Sequence, residues 1–238
     1  MTDLHTHILP GIDDGSKDVE TSIAMLKMQK AQGTDTIVLT PHCYRDKETP
    51  ESFLQRRAAA FERLQQGIVQ QSEALPRLRL AAEVAWAPHL EEWSELPQLC
   101  IQDTSYLLLE MPFCTWNDQM IYQIYDMMDS RGITPVFAHL ERYVKDQRKE
   151  YIDEILSMGV PIQISAEPML HTFGKRTLIK WMKNHQAHVM ASDCHNLTSR
   201  APNLAAGLEA VKKALGQETM ERLIDNADRI VAGEPFIA

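Results

Sequence analysis

Features of secreted, disulfide-stabilised and membrane-embedded proteins are scarce in this sequence. The few cysteines are scattered, with no C-x-x-C pair, at Cys43, Cys100, Cys114 and Cys194. Such spacing is typical of reduced thiols and argues against a disulfide framework. No run approaches the roughly 18 consecutive apolar residues of a membrane span, and no basic segment followed by an apolar one opens the chain. We therefore expect a cytoplasmic protein without membrane insertion.

Positive charge is also scarce. The chain has 24 Lys and Arg residues against 33 Asp and Glu residues, which gives a formal net charge of −9. Nucleic-acid backbones are bound by clustered Lys and Arg, so we expect no nucleic-acid partner. Because the overall field repels anions, an anionic substrate would have to be held by metal ions or by a few arginines.

Linkers, low-complexity tracts and internal repeats are lacking, and short apolar runs alternate with helical stretches about seven times along the chain. This alternation predicts one α/β domain with a parallel sheet, spanning residues 1–238. The predicted strands are Asp3–Ile8, Thr36–Thr40, Leu78–Val84, Tyr106–Met111, Thr134–His139, Pro161–Ser165 and His188–Ser192. The predicted helices are Asp18–Ala31, Pro50–Gln71, His89–Leu96, Asn117–Arg131, Val144–Met158, Thr177–His185, Ala201–Leu215, Glu218–Asn226 and Asp228–Val231.

The first predicted strand carries two histidines in alternation. His5 and His7 are separated by a single residue, so in a strand both imidazoles lie on one face and can bind one metal ion. The turn that follows contains Asp13 and Asp14, which are a further source of ligands. The alternative is an edge strand with surface histidines and an acidic turn, because short motifs have high false-positive rates.

Six of the apolar runs have a His, Asp or Glu at their carboxyl end. Charged side chains are rarely buried unless they are paired or bind metal, and barrels place functional residues at the carboxyl ends of their strands. The repeated placement therefore predicts a metal site where the carboxyl ends of the strands meet, which we call the mouth. The candidate ligands are five imidazoles and four carboxylates, namely His5, His7, His42, His139, His195, Asp14, Glu83, Glu110 and Asp193.

This ligand set suits two or three ions with bridging carboxylates. Nitrogen and oxygen donors without thiolate favour Mn, Fe or Zn over Ca or Mg. The positive charge left over after the carboxylates are neutralised would hold a hydroxide and a phosphate dianion even in an acidic protein.

Taken together and in order, these motifs resemble the polymerase-and-histidinol-phosphatase (PHP) superfamily. The segments DLHTHILPGIDDGS at 3–16, TPVFAHLERY at 134–143 and SDCHN at 192–196, followed by Arg200, are similar to those of bacterial manganese-dependent tyrosine phosphatases from capsule and exopolysaccharide operons. The resemblance implies a distorted, TIM-like (β/α)7 barrel of PHP type over the whole chain. It also implies about three ions per chain, with Mn²⁺ expected and Fe or Zn as alternatives.

The resemblance further implies a role for each ligand. The first ion would be held by His5 and His7, the second by Glu110 and His139, and the third by His42, His195 and Asp14, with Glu83 bridging the first and second ions and Asp193 the first and third. Asp13 is a neighbour that can replace Asp14. Arg142 and Arg200 occupy positions where the family has arginines near the phosphate. With His42 and Asp193 they form the expected catalytic set.

The implied activity is hydrolysis of protein phosphotyrosine by in-line attack of a metal-bound hydroxide, with the two arginines donating to the phosphate. The implied substrate is the C-terminal tail of a tyrosine autokinase that controls capsule or exopolysaccharide synthesis. The alternative substrate is a small phosphomonoester such as histidinol phosphate.

Two further patterns have competing interpretations. Cys194 and Arg200 match the C-x5-R spacing of cysteine-dependent tyrosine phosphatases, but residues 196–199 contain no glycine for a tight phosphate loop, and Cys194 is expected to point away from the site. Phe113, Trp116 and Tyr143 follow ligand-bearing strand ends, so they fit either an aromatic pocket for phosphotyrosine or ordinary core packing.

Overall fold

The computed structural model describes residues 1–171 and 174–238. Its strands and helices alternate through most of the chain. The strands are β1 (Thr2–Thr6), β2 (Thr36–Leu39), β3 (His42–Cys43), β4 (Arg77–Leu80), β5 (Glu83–Ala85), β6 (Tyr106–Glu110), β7 (Thr134–Phe137), β8 (Gln163–Ser165) and β9 (Val189–Ala191). The helices are α1 (Val19–Ala31), α2 (Pro50–Val69), α3 (Leu96–Leu99), α4 (Asp118–Arg131), α5 (Lys149–Ser157), α6 (Lys175–Lys183), α7 (Leu204–Leu215) and α8 (Gln217–Val231). Short 3₁₀ turns lie at Leu90–Glu92, Leu140–Tyr143 and Glu167–Leu170.

All strand pairs in the described residues are parallel and fall into three sheets. The strand orders are β1-β2-β4, β3-β5-β6-β7 and β8-β9. Single bridges from Phe137 to Ile162 and from Thr6 to Cys194 connect the sheets. Because parallel strands end at the same edge, this arrangement brings their carboxyl ends to one mouth.

Alternation along the strands divides the core into two layers. Leu4, Val38, Leu108 and Val136 face inward and pack with residues of α8. Their sequence neighbours, such as Ile37, Leu39, Leu107 and Leu109, pack outward against the helices. Strands that are buried on both faces read as continuous apolar runs, which explains why their positions are visible in the sequence.

Four predicted elements are wrong. Predicted helix His89–Leu96 is only a 3₁₀ turn at Leu90–Glu92, and the next helix, α3, begins at Leu96. Predicted strand Leu78–Val84 is two strands, because the amide of Ala82 leaves the ladder to bond the carbonyl of Leu99. Predicted helix Val144–Met158 begins only at Lys149, after the 3₁₀ turn at Leu140–Tyr143. The two predicted terminal helices are one continuous helix, α8.

None of the helices in the described part of the chain is long and apolar enough to span a membrane.

Candidate metal centre

His5 in β1 and His7, one residue past its end, form the centre of the mouth. The strand-like alternation continues through His7, and both rings are fully buried. Their Nε2 atoms lie 3.1 Å apart and face each other. Two ring nitrogens in this arrangement share one small volume, as the ligands of a common cation do.

Two buried carboxylates face these imidazoles from opposite sides. Glu83 Oε2 lies 3.3 Å from the Nε2 atoms of both His5 and His7. Asp193 Oδ1 lies 3.3 Å and 3.4 Å from the same two atoms. Each carboxylate therefore reaches the first pair of histidines and, through its position at a different strand end, a further group of side chains.

On the Asp193 side the further group consists of Asp14, His42 and His195. Asp14 Oδ1 lies 3.4 Å from His42 Nε2 and 3.5 Å from His195 Nε2. His195 Nδ1 donates to the carbonyl of Asp193 at 2.9 Å, so its Nε2 lone pair is directed into the mouth. His7 belongs to the same group, in which single ligand atoms lie within 4.8 Å of one another.

On the Glu83 side the further group consists of Glu110, His139 and His42. Glu83 Oε1 is 2.8 Å from His139 Nε2, and Glu110 Oε1 is 3.6 Å from that nitrogen. His42 Nδ1 is 2.8 Å from Glu83 Oε2. His42 thus contacts both groups, whereas the family resemblance implies that it binds the third ion and not the second. All nine predicted ligand side chains are brought together at one mouth.

The donor set fits divalent cations better than it fits a hydrogen-bonded network. Within the described residues, Glu83 Oε2, His139 Nδ1 and His195 Nε2 are buried and have no hydrogen-bond partner. Buried polar atoms without partners are rare and require an explanation such as a bound ion. Imidazole and carboxylate donors in three adjoining groups match the ligands of Mn, Fe or Zn.

The charges of this cluster shift its titration strongly. Burial alone would lower the pKa of His7, but the hydrogen bond to Asp13 and the nearby carboxylates of Asp193 and Glu83 raise that pKa well above its usual range. Burial alone would raise the pKa of Glu83, but the neighbouring imidazoles, His5 foremost, hold it well below. Burial and the charge of His7 lower the pKa of His195 to about 4. Opposed shifts of this kind in one cleft are typical of functional sites.

Two buried groups hold the histidines of the site from behind: Asp13, which was predicted only as an alternative ligand to Asp14, and Gln163, which was not predicted as part of the site. Asp13 Oδ2 accepts a 2.8 Å hydrogen bond from His7 Nδ1, which turns the Nε2 atom toward the cluster. Gln163 Oε1 accepts from His5 Nδ1 at 3.1 Å and from the backbone N–H of His139 at 3.0 Å. Such partners fix the tautomer and orientation of metal-ligating histidines. In the pair of neighbouring aspartates, Asp14 faces the cluster and Asp13 supports it.

Local backbone geometry at the mouth is unusual. His139 and Asp193 have φ values of 34° and 51°, in the left-handed region that non-glycine residues seldom adopt. Both lie two residues past the end of a strand, and strain of this kind concentrates at functional sites. Gly15 packs against His7 so closely that an added Cβ would lie 2.2 Å from the His7 carbonyl oxygen. Only glycine fits there.

The two predicted arginines meet on one carboxylate oxygen. Arg142 Nη2 and Arg200 Nη2 both contact Asp193 Oδ2, the latter at 2.8 Å, while Asp193 Oδ1 faces the imidazoles. The arginine side chains remain 36% and 40% exposed. Each therefore offers further N–H donors to an anion that enters the mouth from solvent.

Cys194 lies outside the mouth. Its thiol is fully buried near Gln29, at 3.7 Å from the amide nitrogen, and burial raises the pKa of this thiol. A buried neutral thiol is a poor nucleophile, so the C-x5-R match does not form a phosphate-binding loop here.

Comparisons with known proteins agree with this geometry. Residues 1–232 match the family described as "Capsular polysaccharide synthesis, CpsB/CapC". The chain is 30% identical over 244 residues to tyrosine-protein phosphatase CpsB of Streptococcus agalactiae serotype V, with 97% of this chain and 98% of the relative covered. It is 31% identical over 247 residues to CpsB of Streptococcus pneumoniae, with the same coverage of 97% and 98%. Identity to tyrosine-protein phosphatase YwqE of Bacillus subtilis is 28% over 246 residues, with 98% and 92% covered.

A solved structure supports the fold independently. The crystal structures of YwqE from Bacillus subtilis and CpsB from Streptococcus pneumoniae, described as unique metal-dependent tyrosine phosphatases, match with a TM-score of 0.82 at 24% identity, covering 100% of this chain and 96% of the solved one. The match confirms the predicted α/β fold of PHP type. In the described residues the nine strands form three parallel sheets rather than one continuous seven-stranded barrel. The chain belongs to the CpsB/CapC family.

Proposed function

We propose that this protein is a metal-dependent protein-tyrosine phosphatase in which the whole chain, residues 1–238, acts as one phosphoesterase domain. The observation that carries the proposal is the convergence at one mouth of buried imidazoles and carboxylates with two solvent-reaching arginines. A cluster of this composition is suited to a phosphate dianion, which needs positive charge that the acidic protein as a whole does not supply.

The residues that would hold the ions are those already located at the mouth. His5, His7, Asp14, His42, Glu83, Glu110, His139, Asp193 and His195 would share about three divalent ions, with Mn²⁺ preferred and Fe or Zn as alternatives. When bound, such ions neutralise phosphoryl oxygens and acidify water at neutral pH.

The chain's own residues orient the substrate. Arg142 and Arg200 converge on Asp193 Oδ2 from two sides, so their remaining N–H groups outline a position for the oxygens of a phosphate at the edge of the cluster. Asp193 fixes both guanidinium groups and thereby limits the entropy lost when the phosphate binds. His42 contacts both ligand groups, through Asp14 on one side and Glu83 on the other.

A phenol is a suitable leaving group for this site. The reference pKa of tyrosine is about 10. A phenolate therefore leaves with less need for protonation than an alkoxide does, and none of the chemistry described here requires a thiolate.

The CpsB/CapC membership suggests where the enzyme works. We propose that the substrate is the phosphorylated C-terminal tail of a tyrosine autokinase involved in capsule or exopolysaccharide synthesis, and that the enzyme acts in the cytoplasm. The membership in a capsular polysaccharide synthesis family supports this assignment, and the net charge of −9 supports the exclusion of nucleic acid.

The test is a substrate comparison with protein purified without chelator. Phosphotyrosine peptide and histidinol phosphate are assayed before chelation, after EDTA treatment, and after Mn²⁺, Fe²⁺ or Zn²⁺ is returned. We expect the peptide to be hydrolysed at a much higher kcat/KM, with activity lost to EDTA and restored by Mn²⁺. Preference for histidinol phosphate would replace the proposed substrate, and activity that survives EDTA would refute the metal requirement.

A further inference from the structure

A cavity of about 320 Å³ lies beside the candidate metal centre. It is lined by Phe113, Cys114, Thr115, Tyr143, Asp146 and Gln147. The two segments that build it both begin at the cluster, one just after Glu110 and the other just after His139. The cavity is therefore next to the mouth, and Tyr143 forms the wall between the cavity and His139.

Exposure separates the three aromatic residues near this cavity. Trp116 and Tyr143 are buried core residues, whereas 69% of Phe113 is exposed. The rings step outward from the cluster, with centroids 6.0 Å apart between His139 and Tyr143 and 4.8 Å apart between Tyr143 and Phe113. An exposed phenylalanine at the end of such a series is an apolar surface that a ligand can cover.

The loop that carries Phe113 is fixed by side chains of the core. The Tyr143 hydroxyl donates to the carbonyl of residue 111 at 2.6 Å, and Trp116 Nε1 donates to that of residue 112 at 2.9 Å. Gln147 bonds the backbone on both sides of residue 115, at 2.7 Å and 2.9 Å. The cavity wall is therefore preorganised, which lowers the entropic cost of binding a ring against it.

We propose that this cavity is the aryl subsite, in which Phe113 packs against the phenyl ring of the substrate while the phosphate lies at the metal centre. The inference rests on the proposed phosphatase function and adds the residue that selects aryl over alkyl phosphates. A tyrosine phosphate is longer than a serine phosphate by one ring, and this ring is the part of the substrate that would extend from the cluster toward Phe113. Offset or tilted aromatic pairs then add stabilisation beyond the area that they bury.

A second groove at the mouth is a poorer platform for the ring. This groove, of about 420 Å³, is lined by the predicted ligands Asp14 and His42 together with Tyr44 and Lys47. The ring of Tyr44 already stacks on His42, with a centroid distance of 5.0 Å, and the Lys47 ammonium lies 4.0 Å from its centroid. Phe113 has the larger free surface.

The experiment compares Phe113→Ala with the wild type, each loaded with Mn²⁺, on a phosphotyrosine peptide and on the matching phosphoserine peptide. We expect kcat/KM for phosphotyrosine to fall about tenfold and that for phosphoserine to stay unchanged, while Phe113→Tyr retains the wild-type ratio. Tyr122→Ala removes an aromatic side chain of equal exposure, 69%, on α4. This control should change neither value.

Binding provides a readout that does not depend on turnover. A peptide carrying the non-hydrolysable phosphonomethyl-phenylalanine should bind Phe113→Ala about tenfold more weakly in calorimetry. An equal loss for both phosphopeptides, no loss at all, or a loss of aryl preference in Tyr44→Leu instead would overturn the assignment of the subsite. If the wild type hydrolyses neither peptide, the proposed function fails, and calorimetry still decides whether Phe113 binds the ring.

Discussion

At the carboxyl ends of the strands, imidazoles and carboxylates are buried together and several of their atoms have no hydrogen-bond partner in the described residues. At the amino ends, the charged groups are paired and mostly exposed. The Met1 amine and Lys30 both contact Asp35, at 3.4 Å and 3.0 Å, and Thr2 donates to Asp228 at 2.5 Å.

The difference shows at which end of the fold the functional residues lower the stability of the folded chain. Burying like-charged carboxylates without a full set of partners destabilises a folded chain unless cations are bound. Exposed ion pairs change the free energy of unfolding only slightly. The carboxyl ends are therefore expected to respond to substitution in activity and metal affinity, and the amino ends only in stability.

The largest expected effect is that of Glu83→Gln at the carboxyl ends. Removing a carboxylate charge that contacts four imidazoles should lower kcat/KM for phosphotyrosine peptide by about a thousandfold or more. The matched change at the amino ends, Asp228→Asn, should leave activity nearly unchanged. A comparable loss in both variants would erase the contrast between the two ends.

A stability effect of about 3 kcal/mol is expected from His188, which lies at the start of β9. Its Nδ1 accepts a 3.1 Å hydrogen bond from Ile162, and burial together with the charge of Arg222 lowers its pKa from 6.5 to about 4. Because the unfolded chain binds this proton more readily, His188 lowers the stability as the pH falls from about 6.5 to about 4 and has no effect above that window.

Urea unfolding of metal-free wild type and His188→Gln measures this effect. The amide of glutamine accepts the same hydrogen bond but does not titrate. The variant should therefore gain stability relative to the wild type only below pH 6.5. Parallel pH profiles would show that His188 is not the titrating group.

A smaller effect, on metal affinity, is expected from the aspartate that supports His7. Asp13→Asn should weaken the binding of divalent metal by about 10- to 100-fold, because the carboxylate no longer fixes the His7 tautomer. Competition with a fluorescent chelator measures the affinity. Asp35→Asn, the corresponding change at the amino ends, should bind metal as the wild type does, and equal affinity in all three proteins would exclude the supporting role.

The smallest effect is expected from Cys194→Ser. The thiol is buried behind the cluster and contacts Gln29 rather than the mouth, so phosphatase activity should be nearly intact. Near-complete loss of activity with normal metal content would favour cysteine chemistry instead.

Sequence patterns locate strand ends well and contacts across the fold poorly. The alternation of His5 and His7 and the polar residues that end apolar runs are local features, so the mouth is visible in the sequence. The choice between Asp13 and Asp14 depends on how one loop turns over His7, which no periodicity encodes. Gln163 bonds His5 across 158 residues, and nothing in its own strand marks it.

The same limit applies to element boundaries and to aromatic side chains. The break between β4 and β5 follows from a backbone hydrogen bond to Leu99, a partner that lies outside the strand itself. Phe113 and Tyr143 are both aromatic residues that follow ligand-bearing strand ends, and only the packing shows that Phe113 is exposed and Tyr143 buried.

The metal content of protein purified without chelator is the decisive test of the proposed metal centre. Inductively coupled plasma analysis should find about three divalent ions per wild-type chain, dominated by Mn, and clearly fewer in Glu83→Gln. Wild-type protein that binds no divalent metal, even when Mn²⁺, Fe²⁺ and Zn²⁺ are supplied and the fold is intact, would contradict the account.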